Sequence, residues 1–366
     1  GQPAPGGEAR GSAAPSASPL PTAPLMSLKV DLSREDTLTL VAEANLAPSA
    51  HNTQPARWRF LPGGRMLLLE DVRRRVPFAD PTGKDAMISL GGAFEGMSLA
   101  LSCRGLGLGA PDLGDSPGGA RATDDEPYRL VASATVLEAG ARDPLAELVT
   151  LRRSYRGRFE ADASALESVH CVVDAEEGLS VIDAPAEIAE LARAHDRTSY
   201  RFLQIPELQA ELYAWLRFTP AHPDWHRDGL TADCMAMSSL EARAAVMLFR
   251  PGMFRVLKLM GLGRLATAEA SQTRSAAALL VLHQSPGRGW FEAGRSFYRI
   301  WLELTRLGLS ACPMSALADD PDECASLRTR CGLVRAAAVI NVLRVGKAPP
   351  AGAPKSPRLP PDELVV

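Results

Sequence analysis

Nine residues, Ala47-Pro48-Ser49-Ala50-His51-Asn52-Thr53-Gln54-Pro55, bring a turn-forming proline, two hydroxyls, a histidine and two amides together directly after an apolar helical run. Such side chains cannot build a core, but their donors and acceptors match a planar polar ligand along one edge. A helix C-terminus running into an ordinary polar loop has the same composition, so the stretch alone leaves both readings open. His51 is a candidate proton donor, with an orienting or packing role as the alternative. A second cluster, Arg152-Arg153-Ser154-Tyr155-Arg156-Gly157-Arg158, carries four arginines and a serine in seven residues. Guanidinium forks bind phosphate oxygens bidentately and a hydroxyl adds a donor. The competing reading is a solvated helix end whose cations favour the negative dipole terminus.

Periodicity marks the elements that must position these residues. Residues 37–46 read as a helix with Ser33 and Asp36 as caps, delivering the polar stretch at its C-terminal end. Residues 58–61 and 65–70, separated by Pro62-Gly63-Gly64, predict a β-hairpin. From 84 to about 103 the spacing of Met87, Leu90, Phe94, Met97 and Leu101 predicts a long helix with a core face, and Gly91, Gly92, Ala93 and Gly96 permit close helix packing. A strand at 128–136, a helix at 143–150, a strand near 170–173 and a helix near 186–193 follow. Between 204 and 265 aromatics, histidines and methionines alternate with prolines, an insertion long enough to cover a pocket as a lid. Residues 275–282 read as a strand or the start of a buried helix. Residues 294–307 form an apolar helix with Phe297, Ile300, Trp301 and Leu304 on one face, and 336–345 form a strand. The proline-rich tail 346–359 carries Lys355 and Arg358.

The 366 residues, 46% hydrophobic and 23% charged, suffice for two ordinary cores. A net charge of −3 gives no whole-chain argument for a nucleic acid or an anionic membrane, so any basic site must be local. Only five of the 40 basic residues are lysines, so position rather than arginine count must carry the argument. The six cysteines show no C-x-x-C pair and no histidine spacing to match, which argues against a zinc or thioredoxin-like site and for a reducing compartment; no metal is expected. No apolar run is long enough to span a bilayer. Residues 1–28, rich in Gly, Pro, Ala and Ser, read as a flexible linker or tail.

The chain repeats itself weakly. A small-residue helix ending Cys103-Arg104-Gly105-Leu106-Gly107 and a strand around Val131 have counterparts in the helix ending Thr305-Arg306-Leu307-Gly308-Leu309 and the strand around Val342. With Pro48-Ser49-Ala50-His51-Asn52 and Gln54 in one half, and Arg152-Arg153-Ser154-Tyr155-Arg156 and Lys355-Ser356-Pro357-Arg358 in the other, the chain resembles the FMN-dependent nitroreductase family over about 31–366, and within it the tandem-duplicated Acg-like branch. The resemblance implies an α+β sandwich of two pseudo-symmetric halves, 29–140 and 141–366, each a mainly antiparallel sheet flanked by helices. Together they would form an intrachain pseudo-dimer, a monomer in solution.

The resemblance further implies one FMN per chain clasped between the halves. Arg152, Arg153, Ser154, Arg156, Lys355 and Arg358 would hold its phosphate. Pro48, Ser49, His51, Asn52 and Gln54 would meet the ribityl chain or pyrimidine edge, and backbone near Met314 and Ser315 would approach the reactive nitrogen. The family's usual tryptophan after Gln-Pro is replaced by Ala56, with Trp58 two positions on. The implied activity is a bacterial, cytoplasmic flavin oxidoreductase passing a hydride between FMN and a small organic substrate, with NAD(P)H as a reductant. An azoline-type dehydrogenase fed by an upstream module or carrier through the linker, and a flavin-sequestering protein with little turnover, are the alternatives.

Overall fold

The Ser33 hydroxyl accepts the Asp36 backbone N–H and caps helix α1, Arg34–Ala44. The structure, a computed structural model, describes residues 28–114, 127–138, 141–350 and 354–366. The linker read at 1–28 therefore lies outside the described residues except for Leu28. Strands β1 (Ala56–Leu61) and β2 (Arg65–Asp71) form the expected hairpin, with Gly63 and Gly64 at φ 77° and 69° making the turn. Helix α2 spans Lys84–Ser102. It is followed by the short strands β3 (Leu106–Leu108) and β4 (Asp112–Leu113) and by the long β5 (Tyr128–Glu138). These strands make one antiparallel sheet in the order β1-β2-β5-β3, with β4 also paired to β5.

The helix expected at 143–150 is a 3-10 turn, Pro144–Leu148, capped by Asp143. The strand expected near 170–173 is instead the last part of helix α3, Ala163–Ala175. Its β-branched Val172-Val173 pair suggested a strand, but Ala165, Val169 and Val172 bury one face at i, i+4 and i+7, so the helical period decides. Strand β6 (Leu179–Ile182) and helix α4 (Pro185–Leu203) lead into the insertion. There α5 (Pro206–Ala214), the two-residue strands β7 (Leu216–Arg217) and β8 (Leu230–Thr231), α6 (Ser239–Leu248) and α7 (Pro251–Leu259) surround a small core of their own.

After the short α8 (Ala270–Thr273) come β9 (Ala278–Gln284), α9 (Trp290–Arg306), β10 (Ser310–Pro313), α10 (Ala316–Asp319), α11 (Pro321–Arg330) and β11 (Ala338–Gly346). The second sheet is antiparallel in the order β10-β11-β9-β6. Leu280 and Leu282 of β9 face the core under α3 and α9, while Leu279 and Val281 face the one under α4, α10 and α11. Burial on both faces explains why 278–282 is apolar without alternation, the feature that left strand and helix undecided in the sequence. Among the described residues no helix is long and apolar enough to cross a membrane, and all six cysteines are free.

The two sheets meet through α2 and α9, which cross at glycines. A Cβ on Gly91 would lie 1.9 Å from the Phe291 carbonyl oxygen, and one on Gly294 would lie 2.1 Å from that of Ile88. The same sequence offset relates Gly91 to Gly294 and Ile88 to Phe291, so the contact is reciprocal between corresponding positions of the repeat. The first core is completed from far along the chain, by Tyr298 and Leu302 of α9 and by Leu359 and Leu364. Ala56 and Trp58 are both buried within it, at 4% and 1% exposure. The chain end runs along β1, where Trp58 N–H donates to the Leu364 carbonyl and Val366 N–H to that of Trp58.

Candidate functional site

The polar loop leaves α1 in a strained conformation: His51, Asn52 and Gln54 have φ of 46°, 56° and 52°. Left-handed backbone at three non-glycine residues in four costs about 1 kcal/mol or more apiece, least for asparagine, and persists where the surroundings over-determine it. Here the surroundings are hydrogen bonds. The Ser49 hydroxyl accepts from Gln54 N–H at 3.0 Å. Gln54 accepts from Asn45 Nδ2 and from Leu359 N–H, both at 2.8 Å, and its own amide donates to the Arg227 carbonyl at 2.9 Å. Asn52 Nδ2 donates to the carbonyls of Gly229 and Pro357, while its oxygen accepts from Arg358 at 2.6 Å. Both amides, expected to face a ligand edge, are thus saturated by the insertion and the C-terminal tail.

The insertion is fastened at the same place. Asp228, buried at 5% exposure, pairs with Arg217 at 2.9 Å and with Arg74, and Arg227 pairs with Glu363 at 2.7 Å. Gly229 has φ 71°, and a Cβ there would meet the Trp215 carbonyl at 2.5 Å. Asp228-Gly229 is a turn that closes onto the loop with charge inside and no room for a side chain.

The arginines behave differently from the others in the interior. Arg57, Arg75, Arg217 and Arg344 each meet a carboxylate. Among the described residues, Arg152, Arg153, Arg156 and Arg358 meet none. Arg152, 5% exposed, donates through Nη2 to the Leu46 carbonyl at 3.2 Å and stacks 4.6 Å from the Trp301 ring centroid, but its Nε and Nη1 have no partner. Arg358 Nη2 reaches the same Leu46 carbonyl at 3.2 Å, and its Nε is also without a partner. Two guanidinium groups therefore converge on one carbonyl at the negative end of α1. Arg153 donates to the Arg152 carbonyl and Arg156 to that of Cys234.

Burial, then the neighbouring Arg152, lowers the Arg358 pKa to about 10, and burial likewise lowers those of Arg152 and Arg153. Cations held out of water without counter-charges are costly unless an anion joins them. Tyr298, fully buried on α9, sets its hydroxyl against the Arg152 guanidinium without a well-formed hydrogen bond and is a fourth unsatisfied group here. It escaped the sequence reading because it sits within an apolar helix; its signal was a hydroxyl at i−3 from Trp301. Ser154 is half-buried, with its backbone bridged to Ala311 of β10. Lys355 is exposed, and its carbonyl accepts from Cys234 Sγ.

Pro48 is half-buried where the loop begins. Met314 is 1% exposed in the core under α4, and its N–H already donates to the Val342 carbonyl at 2.7 Å; the Ser315 hydroxyl accepts from Asn341. The Met314 N–H is thus already engaged in the sheet. Among the described residues no group of three or more His, Cys, Asp or Glu side chains is placed to hold a metal.

Loss of solvation, and then the charge of Arg156, lower the His51 pKa from 6.5 to about 4, so its ring is neutral at pH 7 and cannot serve as an imidazolium acid. A neutral histidine that must charge makes the folded state lose stability as pH falls from about 6.5 to about 4, with no further loss below. A loss of about 1–3 kcal/mol is expected across that window, since the ring keeps some solvent contact. His51→Gln should flatten the slope in denaturant titrations run at several pH values. An unchanged slope would place the titrating group elsewhere.

No family model and no curated protein matches the chain. Solved structures do. The FMN- and NADPH-dependent nitroreductase NfnB from Sphigopyxis sp. strain HMH is 20% identical, with 60% of this chain and 97% of that one covered and a TM-score of 0.34. An oxidised iodotyrosine deiodinase bound to FMN and 3-iodo-L-tyrosine is 15% identical over 58% and 94%, also at a TM-score of 0.34. A putative nitroreductase from Anabaena variabilis is 11% identical, covers 87% and 90%, and has a TM-score of 0.37.

Proposed function

We propose that the chain binds FMN by its phosphate and is a flavin oxidoreductase. The observation that carries this is the set of orphaned donors on Arg152, Arg358 and Tyr298, grouped without a carboxylate. A phosphate monoester dianion supplies the missing charge and accepts several such bonds at once. Arg152, Arg358 and Tyr298 would hold it, with Arg153 and Arg156 adding field. Asn52 serves as a positioning residue, since its oxygen fixes the Arg358 fork. Bound flavin supplies the hydride chemistry, and the protein supplies position, electrostatics and exclusion of water. His51, neutral at pH 7, is limited to hydrogen bonding. In this reading Gln54 and Asn52 latch the insertion and the tail around the site.

That latch also favours a second reading, a protein that sequesters flavin and turns over little, because entry to the loop requires the Arg227–Gly229 segment to release it. Anaerobic mixing with NADH or NADPH separates the two. Rapid bleaching of flavin absorbance, reversed by a nitroaromatic or quinone acceptor, is the expected result; a flavin that stays oxidised would favour sequestration. Protein that is colourless as purified and takes up no FMN would overturn both.

A further inference from the structure

Seven of the thirteen large apolar side chains exposed among the described residues fall between Leu240 and Leu265. Leu259 is 89% exposed, Leu265 68% and Met260 65%. They are not the unused edge of an unfinished core: Phe249 and Phe254 already fill the interior of the insertion at 9% and 2% exposure. Helix α7 therefore has two apolar sides, Phe254 inward and Val256, Leu259 and Met260 outward at i, i+3 and i+4. It packs on α6 and on the 263–267 turn, which extends the exposed strip through Leu262 and Leu265. An exposed apolar patch of this continuity marks an interaction surface.

Its charge names the partner. Between Ala242 and Ala268 the chain carries Arg243, Arg250, Arg255, Lys258 and Arg264 and no acidic residue, although the whole chain has a net charge of −3. All five are exposed, and none has an ion pair among the described residues. We infer that this face docks on an anionic lipid bilayer: the leucines enter the headgroup–acyl boundary and the five cations meet lipid phosphates. Nine residues of α7 are far too short to span, so the contact is peripheral. A second copy would press two like-charged faces together without a neutralising acid, and a nucleic acid has no use for the exposed leucines.

Full-length protein should sediment with vesicles of phosphatidylcholine mixed with phosphatidylglycerol, only weakly with phosphatidylcholine alone, and less as salt is raised. Each cation near the surface is worth roughly fivefold in partitioning. Arg255→Glu with Lys258→Glu, and separately Leu259→Glu with Leu265→Glu, should therefore weaken binding at least about tenfold. All four positions are exposed, and thermal unfolding should show the variants as stable as the parent. Parent protein that ignores anionic vesicles, or variants that bind them equally, would overturn the inference. So would light scattering that shows a dimer broken by Leu259→Glu, which would assign the face to a second copy.

Discussion

Replacing Arg152 and Arg358 together by methionine should abolish FMN binding and leave a protein that is folded and no less stable without flavin. Hydrogen bonds to charged groups are worth about 1.5–3 kcal/mol each, so losing both forks weakens binding by roughly 10²- to 10⁴-fold. The second half of the expectation follows from the missing counter-ions. Buried charge exchanged for apolar volume is often neutral or stabilising by about 1–4 kcal/mol, and Arg152 already lies against the Trp301 ring. The cost of that exchange is the Leu46 carbonyl and the Asn52 oxygen, which lose donors. Flavin titration followed by tryptophan fluorescence, with thermal unfolding of the flavin-free forms, measures both. Stoichiometric flavin in the variant would refute the phosphate assignment, and a collapse of stability would recast the two arginines as structural. Tyr298→Phe removes only the orphaned hydroxyl, so it should weaken FMN binding by about tenfold and leave unfolding unchanged.

The largest stability effect is expected at the crossing of α2 and α9. Gly91→Val puts a side chain where the Phe291 carbonyl stands 1.9 Å from the Cβ position, and Gly294→Val does the same at 2.1 Å from Ile88. The obstruction is backbone on both sides and cannot rotate away, so the helices must separate. Ordinary overpacking costs about 1–3 kcal/mol, and a clash with backbone belongs to the exceptional class above about 4 kcal/mol. Both variants should lose the cooperative thermal transition or show it strongly lowered. Gly252→Ala is the control: its Cβ has open space and the position is helical, so it should stabilise slightly. Separating α2 from α9 also parts the loop that leans on Ser89 from the helix that carries Tyr298. Any residual folded variant should therefore bind flavin poorly. Melting of Gly91→Val within a degree or two of the parent would disprove the crossing.

Much of the frame was readable because its causes are local. Ser33 with Asp36, the Gly63-Gly64 turn between alternating strands, and the apolar spacing of Leu90, Phe94, Met97 and Leu101 each act within a few residues. The one reversed element, 170–173, failed for a local reason too: two valines mimic a strand unless the period from Ala165 through Val169 is followed. The site was legible only as an inventory. Ser49, Asn52, Gln54 and the arginines are types that bind polar ligands, and only the family resemblance implied that they meet.

The amino-acid sequence by itself determined the strongly patterned elements, α1, the β1–β2 hairpin and α2 among them, where the polar loop leaves α1, and that any cationic site had to be local in a chain of net charge −3. Only the tertiary structure decided which of the polar groups are free. Asn52 and Gln54 are saturated by partners 177 and 305 residues away for one, and 173 and 305 for the other, so no window of sequence could show it. Arg152, Arg358 and Tyr298 are left with unsatisfied donors because burial removes water while the fold supplies no acceptor. The physical reason is the same in both cases: a residue's type sets which hydrogen bonds and charges it can offer, and only packing across the whole chain sets which of them remain to be met by a ligand.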